Sequence, residues 1–269
     1  MTDSVFIADG ERFMPTEHAR GPWDPRALHG GAPAALLTSA FERMEPGSDL
    51  EIARLGFEFL RPIPMAPLSM STRMVRSGRR VQELAGELRA GEDLVCRASA
   101  LRVQAVPADL PATGSPSSQA SSPDTSEPLP PPEAGKPVRF ALDGSEEASF
   151  AATAMEMRWL SEPRALGPGR VWMCLGLPLL PGEPLTALTR LAATADFGNG
   201  VSASLPFERF LFINADLSIH LHRPPLGEWI GLDARTLLHP GGTGIAESVV
   251  HDTSGPVGRA FQTLVVQPR

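Results

Sequence analysis

The chain has 269 residues, 42% of them hydrophobic and 20% charged, which is typical of a soluble globular protein with one large domain or two of ordinary size. A net charge of −7 without Lys/Arg clusters argues against a nucleic-acid-binding protein. No apolar run approaches the roughly 20 residues of a membrane-spanning helix. The first residues lack the pattern of a secretory signal, and two cysteines, Cys96 and Cys174, cannot form a disulfide framework. We therefore expect a cytoplasmic protein whose cysteines are buried and unreactive.

Residues 107–137 have the composition of a linker. They contain nine prolines with Ser, Thr and Gly between them, and such a segment cannot bury enough apolar surface to fold. We predict a flexible, partly extended linker here. It separates an N-terminal domain, residues 1–106, from a C-terminal domain, residues 138–269.

The two predicted domains show the same order of elements. A helix over residues 31–44 precedes four strand-like segments, EIARLGFEFLRP, SMSTRMVRSGRR, VQELAGELRAGE and LVCRASALRVQ. A helix over about residues 183–196 precedes four more, FERFLFINADLSIHLHRP, EWIGLDARTLLHPGG, TGIAESVVHDTSG and PVGRAFQTLVVQ. Turn signals such as SGRR and HPGG separate the segments. Each domain is thus predicted to be one helix followed by an antiparallel meander.

The spacing of Arg-Pro pairs supports an internal repeat. Arg61-Pro62 precedes Arg97 by the same 36 residues that separate Arg223-Pro224 from Arg259. At this register Asp216 corresponds to Arg54, and Gln262 corresponds to Ala100. The first domain alone has His-Gly-Gly at its helix entrance, since the second reads LPGEPLTAL there. We therefore predict one composite site per chain, between the first helix and polar residues of the second domain.

The segment APAALLTSAFERM is small or apolar almost all round, as suits a helix enclosed by a curved sheet. The chain resembles the double-hotdog acyl-CoA thioesterases of the acyl-CoA thioesterase II type, in the thioesterase-like superfamily. The resemblance is carried by WDPRALHGGAPAALL, NADLSIHLHRPPLGEWIGLDA and AFQTLVVQ. It implies an α+β fold of two tandem hotdog domains, each a long central helix wrapped by a curved antiparallel sheet, forming an intrachain pseudo-dimer.

The resemblance also implies an activity and a site. The activity is hydrolysis of an acyl-CoA thioester to free acid and CoA, with acyl-CoA as partner and without a cofactor or metal. The family's water-holding roles fall on Asp216, Thr243 and Gln262. The chain is compatible with assembly into a homo-oligomer.

His29, Gly30 and Gly31 suit the stabilisation of an oxyanion. The first N–H groups of a helix have no internal partner, and the helix dipole favours negative charge there. Glycines would let a thioester approach the backbone closely. The alternative is a glycine turn with a capping histidine.

The other candidate residues also have structural alternatives. Strict alternation in FLFINADLSIHLH would place Asp216 on the wet face of a half-buried strand. Arg61 and Arg223 are candidates for binding the phosphates of CoA, or are surface charges. Met155, Met157 and Trp159 alternate in a strand-like run that is typical of a core.

Two other functions are compatible with this fold. A hotdog enoyl-CoA hydratase would need an Asp/His pair at the helix entrance, where only Asp24 precedes His29 nearby in sequence. A non-catalytic acyl-CoA-binding protein would keep the helix entrance without needing the polar trio.

Overall fold

The computed structural model of the protein describes residues 3–45, 49–105, 128–139 and 147–269. The helices are α1 (Gly31–Arg43), α2 (Ala187–Ala195) and α3 (Gly198–Val201). The strands of the first half are β1 (Phe6–Asp9), β2 (Arg12–Pro15), β3 (Leu50–Phe59), β4 (Leu68–Arg76), β5 (Val81–Ala90) and β6 (Asp93–Gln104). Those of the second half are β7 (Lys136–Pro137), β8 (Met155–Trp159), β9 (Gly169–Leu175), β10 (Phe210–Asn214), β11 (Asp216–Leu221), β12 (Ile230–His239), β13 (Thr243–Asp252) and β14 (Gly255–Pro268).

All fourteen described strands form one antiparallel sheet. Its order is β1-β2-β4-β5-β6-β3-β11-β14-β13-β12-β9-β8-β7, with β10 also paired to β14. The halves meet at the β3–β11 pair, where Ser218 lies opposite Gly56. From this pair outward, β6, β5 and β4 on one side are matched by β14, β13 and β12 on the other.

The strands agree with the predicted repeat. Strands β4, β5 and β6 begin at Leu68, Val81 and Asp93, and β12, β13 and β14 each begin 162 residues later. This is the offset set by the two Arg-Pro pairs.

The helices α1 and α2 pack against each other in opposite directions inside the curve of the sheet. Gly31, at the start of α1, lies against Ala193 near the end of α2, and Glu42 near the end of α1 accepts a hydrogen bond from Thr186 at the start of α2. Nearly every residue of α1 is buried. The small side chains predicted for an enclosed helix therefore allow close packing on both sides.

The second helix begins later than predicted. Residues 183–186 lie outside α2, because Pro184 interrupts the helical pattern and Thr186 is the N-cap residue. The Thr186 hydroxyl accepts a hydrogen bond from the N–H of Thr189 at 3.0 Å, so the helix is fixed at this end.

The end of the predicted linker packs on the second half. Residues 107–127 of that prediction lie outside the described residues, but residues 128–137 do not. The indole N–H of Trp172 donates to the carbonyl oxygen of Pro130 at 2.7 Å, Leu129 is buried, and β7 pairs with β8. These residues therefore differ from the expectation of a flexible linker, because Leu129 and Trp172 find partners here.

The cysteines are only partly as predicted. Cys96 is buried, and burial raises the pKa of its thiol to about 12. Cys174 is half-buried rather than buried, although partial burial still raises the pKa of its thiol. Both thiols are therefore protonated at neutral pH, which agrees with low reactivity.

Candidate active site

The start of α1 faces a buried carboxylate at the end of α2. His29 and Asp196 are both buried, and the Nδ1 atom of His29 lies 2.9 Å from Oδ2 of Asp196. The two atoms are within hydrogen-bonding distance. The N–H of Gly31 also donates to Nδ1, at 3.0 Å. The antiparallel packing of the two helices thus creates an Asp/His pair at the entrance of α1.

Side chains from the second half hold Asp196 in place. The Asn214 amide donates to Oδ1 of Asp196 at 2.7 Å. The amide of Gln262 donates to the backbone carbonyl of Asp196 at 2.9 Å and lies 3.4 Å from Oδ1. The Gln262 carbonyl in turn accepts the backbone N–H of Asn199 at 2.9 Å. Gln262 therefore bridges the backbone on either side of the break between α2 and α3.

The imidazole of His29 is fixed by aromatic contacts. Its ring stacks on Phe197 with centroids 4.2 Å apart and lies 5.1 Å from the ring of Phe150. The histidine is therefore held in one orientation by α2, α3 and the segment before β8.

The two glycines allow α1 to pack closely on α2. A Cβ on Gly30 would lie 2.8 Å from Oδ2 of Asp196. A Cβ on Gly31 would overlap the carbonyl oxygen of Ala193 and lie 2.9 Å from the ring of Phe150. Protein atoms already fill the positions of both Cβ atoms, which gives a packing reason for glycine at both positions.

A cavity of about 490 Å³ opens beside this cluster, a volume in the range of small-molecule sites. Its polar lining includes His29, Asp196, Asn199 and Asn214. The rest of its wall is largely apolar and aromatic, and Trp23 and Phe207 lie together on it with ring centroids 5.5 Å apart. The arrangement places a carboxylate, an imidazole and amides beside an apolar chamber.

The structure does not bring Asp216, Thr243 and Gln262 together. Oδ1 of Asp216 accepts the backbone N–H of Thr263 at 2.7 Å, and Asp216 lies opposite Glu58 on the central strand pair. Thr243 is exposed at the start of β13, opposite Val265, whereas Gln262 is buried opposite Ala246. The expectation that these three side chains surround one water molecule is therefore corrected.

A break at Ala215 explains this difference. Continuous alternation would put Leu217 and Ala215 on one face, but the strand is interrupted between β10 and β11. Asn214 faces Asp196, and Leu217 is buried two residues after the break. Asp216 is only half-buried. The interruption thus brings Asn214 to the helices in place of Asp216.

Only one of the two arginine candidates lies at the cavity. Arg61 lines it, with a half-exposed side chain whose Nη1 lies 2.6 Å from Oδ1 of Asp93. Arg223 is not among the lining residues, and its guanidinium forms two hydrogen bonds of 2.5 and 2.7 Å to buried Asp252. The expectation that Arg223 binds the phosphates of CoA is corrected, because its guanidinium is paired with Asp252 within the second half.

Sequence reasoning missed Asp196, Asn199 and Asn214. The signal for Asp196 is an acid between the alanine-rich helix ALTRLAATA and a Gly-x-Gly sequence, in ATADFGNG. The sequence alone predicts the end of a helix at this position, and only the packing of α2 on α1 brings Asp196 to His29.

Comparison with known proteins agrees with this architecture. Residues 19–103 match the acyl-CoA thioesterase N-terminal domain, and residues 123–266 match the acyl-CoA thioesterase C-terminal domain. No curated protein matches the chain.

Solved structures show the same fold at low identity. A candidate thioesterase from Novosphingobium aromaticivorans has a TM-score of 0.71 and 19% identity, and covers 97% of this chain and 98% of its own. A hot dog fold protein of unknown function from Alicyclobacillus acidocaldarius has a TM-score of 0.70 and 16% identity, with coverages of 98% and 95%. The acyl-CoA thioesterase II TesB2 of Mycobacterium marinum has a TM-score of 0.65 and 16% identity, with coverages of 91% and 92%.

Within the described residues, no helix is both long and apolar enough to span a membrane. The structural matches share the hotdog fold with this chain, and the two domain matches together account for most of its length. On this evidence, the chain belongs to the acyl-CoA thioesterase family, of which it contains both the N-terminal and the C-terminal domain.

Proposed function

We propose that the protein is a cytoplasmic acyl-CoA thioesterase with one composite active site between two tandem hotdog domains. The observation that carries the proposal is the pair of Asp196 and His29 at the entrance of α1, beside an apolar cavity. The mirrored strand order about β3–β11 supports the view that the two domains form an intrachain pseudo-dimer.

In this proposal Asp196 activates water. A carboxylate within hydrogen-bond reach can take a proton from a water molecule as it attacks the thioester carbonyl. The new C–O bond forms, the C–S bond breaks, and the thiolate of CoA takes up a proton. His29 lies against the carboxylate through Nδ1, while Asn214 and Gln262 keep the carboxylate in place.

The start of α1 polarises the carbonyl in the same proposal. The N–H of Gly30 has no acceptor in the described part of the chain, and Gly30 lines the cavity. An N–H donor at a helix start that strengthens its bond in the transition state contributes roughly 3 kcal/mol. Gly30 therefore keeps its predicted role toward the oxyanion, whereas the N–H of Gly31 is used by His29.

The proposal is tested by thiol release from a series of acyl-CoAs. We expect Asp196→Asn to lower turnover by roughly 10²- to 10⁴-fold, the usual value of a general base. Asp216→Asn is the matched control. It removes the same charge at the start of β11, two residues after Asn214, and we expect it to retain turnover. Loss of turnover in Asp216→Asn alone would instead support the role that the family resemblance gave to Asp216.

A hydratase is the second candidate function, because the structure supplies the Asp/His pair that such an enzyme needs at the helix entrance. A hydratase would reduce the absorbance of an enoyl-CoA without releasing thiol. A non-catalytic acyl-CoA-binding protein would do neither. The same purified protein, assayed with saturated and unsaturated thioesters, distinguishes the three functions.

A further inference from the structure

The outer face of the sheet carries a row of basic residues where the two halves meet. Arg54 on β3 lies directly opposite His220 on β11, and His220 lies opposite Arg259 on β14. The residue that follows Arg54 and the one that precedes His220 are both buried, so the two basic side chains point to the outer face. Side chains in opposite positions are roughly 5 Å apart at Cβ, and like charges placed there are destabilising. A bound anion would relieve this repulsion.

A depression in the sheet surface lies beside the row. Gly56 is two residues along β3 from Arg54, and it lies opposite Ser218 on β11 and Ser99 on β6. Apart from the chain neighbours of Gly56, the only described atom within 4 Å of a Cβ placed there would be the hydroxyl oxygen of Ser99, at 3.1 Å. The missing side chain of Gly56 thus leaves open space between two serines and the basic row.

The polar groups around the depression have unused hydrogen-bonding capacity. Within the described residues, Arg54 and His220 form no ion pair, and the hydroxyls of Ser99 and Ser218 form no hydrogen bond. The Nε atom of Arg54 is buried and likewise has no acceptor in that part of the chain. Guanidinium, imidazole and hydroxyl groups can all donate hydrogen bonds, so the depression presents several donors to a ligand.

The acids on the same two strands lie outside this group. Glu58 and Asp216 are each four residues from the basic pair along β3 and β11, which is roughly 13 Å in an extended strand. The carboxylate of Asp216 already accepts the N–H of Thr263. Glu51 lies on the other side of Arg54, beyond a shift in the register of β3. The donors at the depression therefore have no carboxylate in the adjoining positions of β3 and β11.

We propose that this depression binds a tetrahedral oxyanion of the phosphate class, held by Arg54 of the first half and by His220 and Ser218 of the second. A guanidinium can bind two phosphate oxygens through parallel N–H groups, and a serine hydroxyl can donate to a third. Because the halves meet at the β3–β11 pair, the oxyanion bridges them and stabilises the folded protein. These three residues do not line the cavity, so the site is separate from the proposed active site.

Titration of the protein with sodium phosphate, followed by calorimetry and by thermal unfolding, tests the proposal, with sodium chloride at equal ionic strength as the reference. We expect phosphate to raise the unfolding midpoint more than chloride does, because a ligand that binds only the folded state stabilises it. Arg54→Gln should weaken phosphate binding by roughly tenfold or more, since it removes a hydrogen bond between charged groups. Gly56→Ala should also weaken it, because the methyl group fills the depression without changing the charge.

Glycerol 3-phosphate, titrated in parallel, distinguishes the two sources of such a group. Tighter binding of this ester would identify the phosphate group of a larger molecule as the ligand, and tighter binding of inorganic phosphate would identify the free ion. Both results support the site, provided that Arg54→Gln weakens the binding.

Arg79→Gln is the matched control. Arg79 is exposed in the turn between β4 and β5, so the same loss of charge there should leave phosphate binding unchanged. The proposal would be overturned by a phosphate effect no larger than that of chloride, by unchanged binding in Arg54→Gln, or by an equal loss in Arg79→Gln. If Arg54→Gln does not fold, His220→Gln makes the same test from the second half. None of these measurements requires turnover, so they stand apart from the test of hydrolysis.

Discussion

Gln262 connects the backbone around Asp196 to the sheet through both ends of its amide. Replacing it with alanine leaves the carbonyl of Asp196 and the N–H of Asn199 without these partners. Each buried group left unsatisfied costs roughly 1–3 kcal/mol. We therefore predict that Gln262→Ala lowers both the free energy of unfolding, by about 2 kcal/mol or more, and kcat for thiol release.

Gln82→Ala provides the comparison for that variant. Gln82 is also buried, but its amide donates to Glu45 near the end of α1. This variant should lose stability, as shown by urea unfolding, and retain kcat. An equal loss of kcat in both variants would mean that Gln262 acts on turnover only through stability.

His251 gives the molecule a sensitivity to acid. The side chain is fully buried, and neither ring nitrogen has a hydrogen-bond partner among the residues that the structure describes. Burial lowers its pKa from 6.5 to about 4. The nearby charges have smaller effects: Asp233 and Asp252 raise the pKa, and Arg170 and Arg223 lower it. The unfolded chain therefore binds a proton at a higher pH than the folded protein does.

This difference in pKa predicts how stability changes with pH. The contribution of neutral His251 is complete above pH 6.5 and is lost as the pH falls toward 4, by about 3 kcal/mol in total. We predict that His251→Leu loses less stability than the wild type between pH 7 and 4. Urea unfolding at a series of pH values measures this, and parallel curves for the two proteins would contradict it.

At the scale of elements, the packing of α1 on α2 depends on Gly31. We predict that Gly31→Ala destabilises the protein by several kcal/mol, because its Cβ would overlap the carbonyl oxygen of Ala193 and crowd Phe150. Gly200→Ala is the control, since a Cβ there meets nothing within 4 Å. Thermal unfolding should separate the two variants, and equal midpoints would show that the helices can move apart without cost.

Local signals explain which elements were predictable. Alternating side chains and turn residues predicted β4, β5 and β6 and their counterparts near their observed positions, because these strands follow simple local patterns. The break at Ala215 was not predictable in the same way. The sequence INADLSIHLH alternates between apolar and polar residues without interruption, and only contact with β14 and the helices selects the break.

At the scale of the whole molecule, the repeat register and the contact between the entrance of α1 and polar residues of the second half were accessible from sequence, but the identity of the carboxylate there was not. His29 comes from the first half, and Asp196, Asn214 and Gln262 come from the second. Comparing the halves indicated this division. Comparing the halves does not point to Asp196, because the two helices do not follow the strand repeat. The strands repeat after 162 residues, but α2 begins at Ala187, earlier than that offset from Gly31 would place it.

The mirrored arrangement of helices leaves a second carboxylate at the opposite ends of α1 and α2. Oε2 of Glu42 accepts hydrogen bonds from the hydroxyls of Thr186 and Thr189, at 2.7 and 2.9 Å. Burial raises the pKa of its carboxyl, an effect that these hydrogen bonds oppose. At this end Thr186 caps the start of α2, whereas α1 starts within His-Gly-Gly. Glu42 and Thr186 link the two helices and do not line the described cavity.

We therefore predict that Glu42→Gln leaves thiol release within about twofold of the wild type, whereas Asp196→Asn lowers it by roughly 10²- to 10⁴-fold. Because the folded pKa of Glu42 is raised, its stabilising contribution is present at low pH and declines as the pH rises through that value. Glu42→Gln should accordingly be at least as stable as the wild type at pH 8, as measured by urea unfolding. A large loss of turnover in Glu42→Gln would mean that both ends of the helix pair support catalysis.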